Sequence, residues 1–187
     1  LPVSGVRVHA RILPVEQRAP RAEQVETAWA HVEALARGER EPDLSRRLYG
    51  YAWHFYGNLA SIDDWLACDL IGMWEARRRT FRRAIIEPIE VQGIALGHLA
   101  IVGIPGELFS VMGREIRESG HFPVTMAVEH CNAFAGYIPH EEDFARGGYE
   151  CCFALQSRLV PTAGAAIVRA AREILGELQA PAACTVE

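Results

Sequence analysis

The chain opens with an alternation. In "VRVHARIL", Val6 to Leu13, apolar and polar residues exchange at every second position, the period of a strand with one buried face. Pro14 and Pro20 punctuate its exit. The period then lengthens: in "RAEQVETAWAHVEALARG", Val25, Trp29, Val32 and Leu35 recur at helical spacing, and Gly38 supplies a stop. The next stretch, "EPDLSRRLYGYAWHFYGNLASIDDWLACDLIGMWEARRRTFRR", predicts two helices broken near Gly57-Asn58, with its aromatic residues as helix-packing core. Its closing run, "RRRTFRR", reads as a solvated helix end favoured by the macrodipole.

At Ile85 the texture changes. "IIEPIEVQGIAL" and "HLAIVGI" predict two strands joined by a tight turn centred on Gly97. "PGELFSVMGREIRESG" predicts a helix carrying Leu108, Met112 and Ile116 on one side, with Glu107 at its start. "HFPVTMAVEH" reads as a strand, "YECCFAL" as a short one, and "TAGAAIVRAAREILGEL" as an amphipathic helix with Ile167, Ala171, Ile174 and Leu178 on one stripe. The tail after Gln179 carries no pattern. The expected class is α/β: a mainly helical N-terminal segment, residues 1–84, packed on a mixed β-sheet layer with flanking helices, residues 85–180. Trp29, Trp53, Trp65 and Trp74 are expected to contribute to that interface.

Length and composition narrow the classes. The 187 residues suit one domain able to bury a core, with 50% hydrophobic and 23% charged residues. A net charge of −5 argues against a nucleic-acid partner, which calls for a basic surface. No run of eighteen apolar residues occurs, so no membrane span is expected. The five cysteines, Cys68, Cys131, Cys151, Cys152 and Cys184, form no CxxC, and buried free thiols are expected, which fits a reducing compartment.

Familiar catalytic signatures are missing. There is no GxSxG elbow, no GxGxxG and no GxxxxGK[ST], and "HEEDF" places Phe144 where a metalloprotease needs its second histidine. Cys151 or Cys152 could serve as a nucleophile with His130 or His140 as base, against the plainer reading of buried thiols. Glu107 follows a strand and a Pro-Gly turn, and Tyr137 and Tyr149 sit in glycine-framed turns of "NAFAGYIPHEEDFARGGYE". Each has a structural explanation: helix-dipole stabilisation for the glutamate, half-buried rim positions for the tyrosines.

Taken in order, "EVQGIALGHLAIVGIPGELF", "NAFAGYIP", "GGYE" and "PTAGAAIVRAAREIL" resemble the later part of the catalytic domain of the neutral/alkaline, non-lysosomal ceramidases and their bacterial relatives. The resemblance spans about half of the chain, Glu90 to Leu178, and extends only weakly before Ile85. It implies that residues 1–187 are the C-terminal part of a ceramidase-like catalytic domain, a zinc amidohydrolase that cleaves the N-acyl bond of ceramide-like lipids. It further implies that zinc is held by Glu107, Tyr137 and two histidines from an earlier part of the domain, which this chain would need as a partner. Tyr149 is implied as the hydroxyl that stabilises the reacting carbonyl. His140 departs from the family's common threonine, and Phe134 from its commoner aromatic hydroxyl. The competing expectation is a noncatalytic binding or scaffolding domain that keeps the fold without the metal.

Overall fold

The computed structural model describes residues 5–39, 44–49, 59–80 and 83–179. Its elements run in the order β1 (Val6–Glu16), α1 (Ala22–Ala36), α2 (Leu44–Tyr49), α3 (Leu59–Arg79), β2 (Ile86–Leu96), β3 (Leu99–Gly103), β4 (Glu107–Leu108), α4 (Ser110–Arg117), β5 (Val124–Val128), β6 (Tyr137–Ile138), α5 (Asp143–Arg146), a 3₁₀ turn (Tyr149–Cys151) and α6 (Ala163–Gln179). Four strands form a mixed sheet in the order β1-β2-β3-β5, and β4 with β6 forms a separate two-stranded ribbon. The class is α/β, as the sequence pattern implies.

Strand β1 forms as its alternation predicts, but the apolar positions Val6, Val8 and Ile12 are 62%, 51% and 68% exposed rather than buried. It pairs antiparallel with β2 along its whole length, from Val6 opposite Leu96 to Glu16 opposite Ile86. The helical residues are therefore an excursion between two neighbouring strands. Strands β2 and β3 form the expected hairpin, closed by Gly97 and His98 between the paired Leu96 and Leu99, with a positive φ at Gly97. From β3 the chain crosses through α4 to the parallel strand β5.

Helix α6 covers one sheet face. Ile167, Ala171, Ile174 and Leu178, the stripe read from sequence, are fully buried against Ile89, Val91, Ala95, Ala100 and Val102. At that layer's edge the Arg11 guanidinium pairs with Glu173 and Glu177. The opposite face is also apolar but open. The register places Val6, Val8 and Ile12 of β1 there with Ile94, Leu96, Leu99, Ile101, Val124 and Met126. Val8, Ile12, Val124 and Met126 remain 47–68% exposed.

The helices α1–α3 pack differently from expectation. They make their own core around Ala28, Leu44, Leu66, Ala67 and Leu70, and that core is completed by Cys152, Phe153 and Ala154. Two hydrogen bonds tie it to the same strip: the Tyr49 hydroxyl donates to the Phe153 carbonyl, and the Leu155 N–H donates to Asp69 at 3.1 Å. Trp29 and Trp65 are each 45% exposed, so they do not form the interface. The buried side of α1 runs instead through Val25, Ala28, His31 and Ala34, because small residues allow the close approach of α3. Trp53, the Gly57-Asn58 break and the tail beyond Gln179 lie outside the described residues.

Two local expectations are corrected. "YECCFAL" is a 3₁₀ turn over Tyr149–Cys151 followed by one bridge, Ala154 to Ser157, rather than a strand. Its amides bond back within the turn, Cys151 N–H to the Gly148 carbonyl at 3.1 Å and Cys152 N–H to Tyr149 at 3.3 Å, leaving no ladder to join. Helix α4 begins at Ser110, not at Glu107. The amides that would have opened it earlier are taken by β6: Glu107 N–H bonds the Gly136 carbonyl at 2.9 Å, and Phe109 N–H the Ile138 carbonyl at 3.2 Å.

A candidate active site on a two-stranded ribbon

That correction defines the site. Glu107 is not a first-turn helix residue, so the helix dipole does not account for it. It is the first residue of a parallel ribbon in which Glu107 pairs with Tyr137 and Leu108 with Ile138. Register partners project to the same face. Leu108 and Ile138 are buried in the main core, so Glu107 and Tyr137 stand together on the other, partly exposed face.

Two glycines permit the pairing. A Cβ on Gly106 would lie 2.6 Å from the Gly136 carbonyl oxygen, and one on Gly136 would lie 2.2 Å from the Gln156 carbonyl oxygen. Gly136 also adopts φ +83°, a conformation that costs other residues about 1–2 kcal/mol. The glycine before each strand is thus a packing requirement of the ribbon.

Tyr149 arrives from the 3₁₀ turn. Its ring meets that of Tyr137 edge-on, with centroids 5.7 Å apart and planes at 76°. Its hydroxyl accepts a hydrogen bond from the Gln156 side chain at 3.4 Å. The structure therefore brings Glu107 beside Tyr137, and Tyr137 against Tyr149, from three segments distant in sequence.

His130 was singled out from sequence only as a possible base for a cysteine. It lies instead beside Glu107, its Nε2 3.9 Å from the carboxylate, with its ring stacked on Phe134 at 5.3 Å. His130 and Asn132 both take positive φ, 56° and 66°, an uncommon conformation for side-chain-bearing residues. Asn132 donates to Glu90 at 3.4 Å, linking this bend to the open face of the sheet. The sequence signal for that placement is weak: His and Asn are enriched at positive φ, but most of them lie elsewhere.

The cysteine alternative loses its geometry. Cys151 and Cys152 are each 7% exposed, and burial pushes the Cys151 thiol up to about 11. They line a cavity of about 390 Å³ with Arg18, Arg21 and Tyr49, and none of the described histidines lines it. His140 faces a separate cleft of about 870 Å³ between α4 and α6, with Glu115, Arg169 and Arg172. None of Glu107, Tyr137 and Tyr149 lines that larger cleft.

Glu107 and Tyr137 suit a divalent ion such as zinc by donor type: a carboxylate and a phenol, adjacent on rigid backbone and reachable from solvent. Among the described residues no group of three His, Cys, Asp or Glu side chains is placed to hold a metal. Any complete ion site here needs donors beyond that set.

No protein-family model matches the chain, and no curated protein matches it. Solved structures do. A neutral ceramidase from Pseudomonas aeruginosa aligns with 95% of this chain and 29% of its own, at 15% identity and a TM-score of 0.50. A ceramidase complexed with C2 aligns with 52% of this chain and 16% of its own, at 18% identity and a TM-score of 0.42. The fold is like that of the Pseudomonas aeruginosa neutral ceramidase. The chain spans less than a third of the length of the solved structures it matches.

Proposed function

We propose that this chain supplies part of the active site of a zinc-dependent amidohydrolase acting on the N-acyl amide bond of ceramide-like lipids. The observation that carries the reading is the register of Glu107 with Tyr137, which sets a carboxylate and a phenol side by side, with Tyr149 against the phenol. Support for the substrate class comes from the likeness of fold to a neutral ceramidase.

Glu107 and Tyr137 would hold the ion. Bound zinc supplies a Lewis acid and a water whose pKa falls toward neutrality. Glu107 contributes full charge from a rigid strand. Tyr137 is a weak donor at the ordinary phenol pKa of about 10, and a neighbouring cation favours its phenolate. Tyr149 donates its O–H to the oxyanion that develops when an amide carbonyl is attacked.

Two donors fall short of a tetrahedral site, and two histidines from a further polypeptide segment complete it in this reading. The bare apolar sheet face supports the existence of such a segment. A sheet with antiparallel pairs can leave one face to water, but that face is then ordinarily polar, and half-open aliphatic side chains forgo part of the about 1.5–3 kcal/mol that full burial supplies. A noncatalytic scaffold is the competing reading, favoured by the lack of a three-donor cluster among the described residues.

The test is zinc content and hydrolysis of an N-acyl lipid amide, measured on this chain joined to the segment that supplies the histidines. Glu107→Ala is expected to lose the metal. Tyr149→Phe is expected to keep it and lose roughly two orders of magnitude in turnover, the usual effect of deleting one oxyanion donor. Equal metal content and equal rates in wild type and both variants leave only the scaffold.

A further inference from the structure

Resting on that reading of Tyr149 as a donor, we infer that Gln156 is the positioning residue of the site, setting the two tyrosines relative to each other and turning the Tyr149 proton away from itself. Its backbone carbonyl accepts the Tyr137 N–H at 2.7 Å. Its side-chain amide reaches the Tyr149 hydroxyl oxygen at 3.4 Å. One residue thus touches the strand that carries one phenol and the oxygen of the other.

Gln156 is itself held from several sides. The Ser157 N–H bonds the Ala154 carbonyl at 2.9 Å, and the Ser157 hydroxyl donates to the Glu150 carbonyl. The Arg18 guanidinium donates to the Cys151 carbonyl at 3.0 Å and to the Ser157 carbonyl, closing the loop onto the end of β1. The Gln156 carbonyl fills the space where residue 136 would carry a Cβ, so glycine at that position is what lets it reach the Tyr137 amide.

The direction of the side-chain bond follows from what lies behind it. Among the described residues, Gln156 Oε1 is buried without a partner. Exchanging the two amide atoms would leave an NH₂ with two donors in that place, and an orphaned buried N–H is rarer than an under-satisfied oxygen. Nitrogen toward Tyr149 is the less costly arrangement. A phenol oxygen that accepts an N–H must send its own proton elsewhere, so Gln156 fixes Tyr149 as a donor toward an acceptor other than itself. Sequence reasoning gave Gln156 no weight, since a lone glutamine in a loop has no motif.

The test is NMR of this chain labelled with ¹³C at tyrosine Cζ, with the Tyr149 resonance identified by its loss in Tyr149→Phe. Gln156→Met keeps length and the backbone carbonyl but removes the donor. Gln156→Glu keeps length and replaces the donor with an acceptor. Both variants are expected to shift the Tyr149 resonance, Gln156→Glu downfield, as its proton is drawn to the carboxylate. In both, the Tyr137 amide should keep its slow hydrogen exchange. A Tyr149 resonance that stays in place in both variants overturns the inference. So does loss of Tyr137 amide protection in both, which would show that the side chain holds the strand rather than the phenol. Neither readout involves zinc or hydrolysis, so a failed amidase reading and a failed Gln156 role give different results.

Discussion

Glu107 and Tyr137 are thirty positions apart in sequence and directly opposite one another in a parallel ribbon, anchored by the bond from Glu107 N–H to the Gly136 carbonyl at 2.9 Å. The pairing explains why the glutamate stands three residues ahead of α4 and points away from the core. It also separates site from stability. The Glu107 side chain is 34% exposed, and substitutions at such positions usually change stability by within about 0.5 kcal/mol. Glu107→Gln should therefore leave the urea midpoint close to wild type while weakening zinc retention in the completed protein. A large drop in midpoint for Glu107→Gln would show that the carboxylate serves the fold instead.

The ribbon has a backbone requirement that two glycines, eleven residues apart, can test. Both Gly136 and Gly147 take positive φ, +83° and +78°. A Cβ on Gly136 meets the Gln156 backbone 2.2 Å away, whereas one on Gly147 meets nothing within 4 Å. Gly147 has ψ −161°, a region nearly confined to glycine, so Gly147→Ala should cost about 1–3 kcal/mol from conformation alone. Gly136→Ala adds a backbone clash and should cost about 1–3 kcal/mol more. Equal costs by denaturant titration would mean that the ribbon is looser than described.

The thiols carry a prediction about pH. Burial, with the nearby Asp143 and Glu150 charges, raises the Cys151 pKa to about 11 from an ordinary 9.0. The neutral thiol is thus favoured by folding: its contribution is fully present below pH 9 and is lost as pH rises through 11. Iodoacetamide at pH 8 should label the exposed Cys68 and leave Cys151 unmodified in the folded chain. Rapid alkylation of Cys151 would revive the cysteine-nucleophile reading that its burial argues against.

Periodicity revealed the large elements because their burial is one-sided. The stripe Ile167, Ala171, Ile174, Leu178 is pressed on the sheet where the pattern placed it. The alternation from Val6 does mark a strand, but its apolar positions Val6, Val8 and Ile12 are on the open face, while His9 and Arg11 reach the carboxylates of α6. Trp29 misled because a bulky aromatic on a helical stripe reads as core, while the actual contact of α1 runs through alanines and His31. The ribbon itself could not be read: strands of two residues have no period, and what defines them is the absence of a Cβ at Gly106 and Gly136. Glu107, Tyr137 and Tyr149 were found through motif resemblance, not periodicity. Their convergence is now visible as register and ring contact, whereas Gln156 and His130 become visible only through the fold.

The account turns on whether one ion joins the two ribbon residues. Anomalous diffraction at the zinc edge, from crystals of this chain together with the segment that supplies the histidines, reads that directly. The account predicts one peak bonded to both a Glu107 carboxylate oxygen and the Tyr137 phenol oxygen, at about 2.0–2.2 Å. A zinc peak bonded to neither residue, in a protein that hydrolyses the lipid amide, would contradict it.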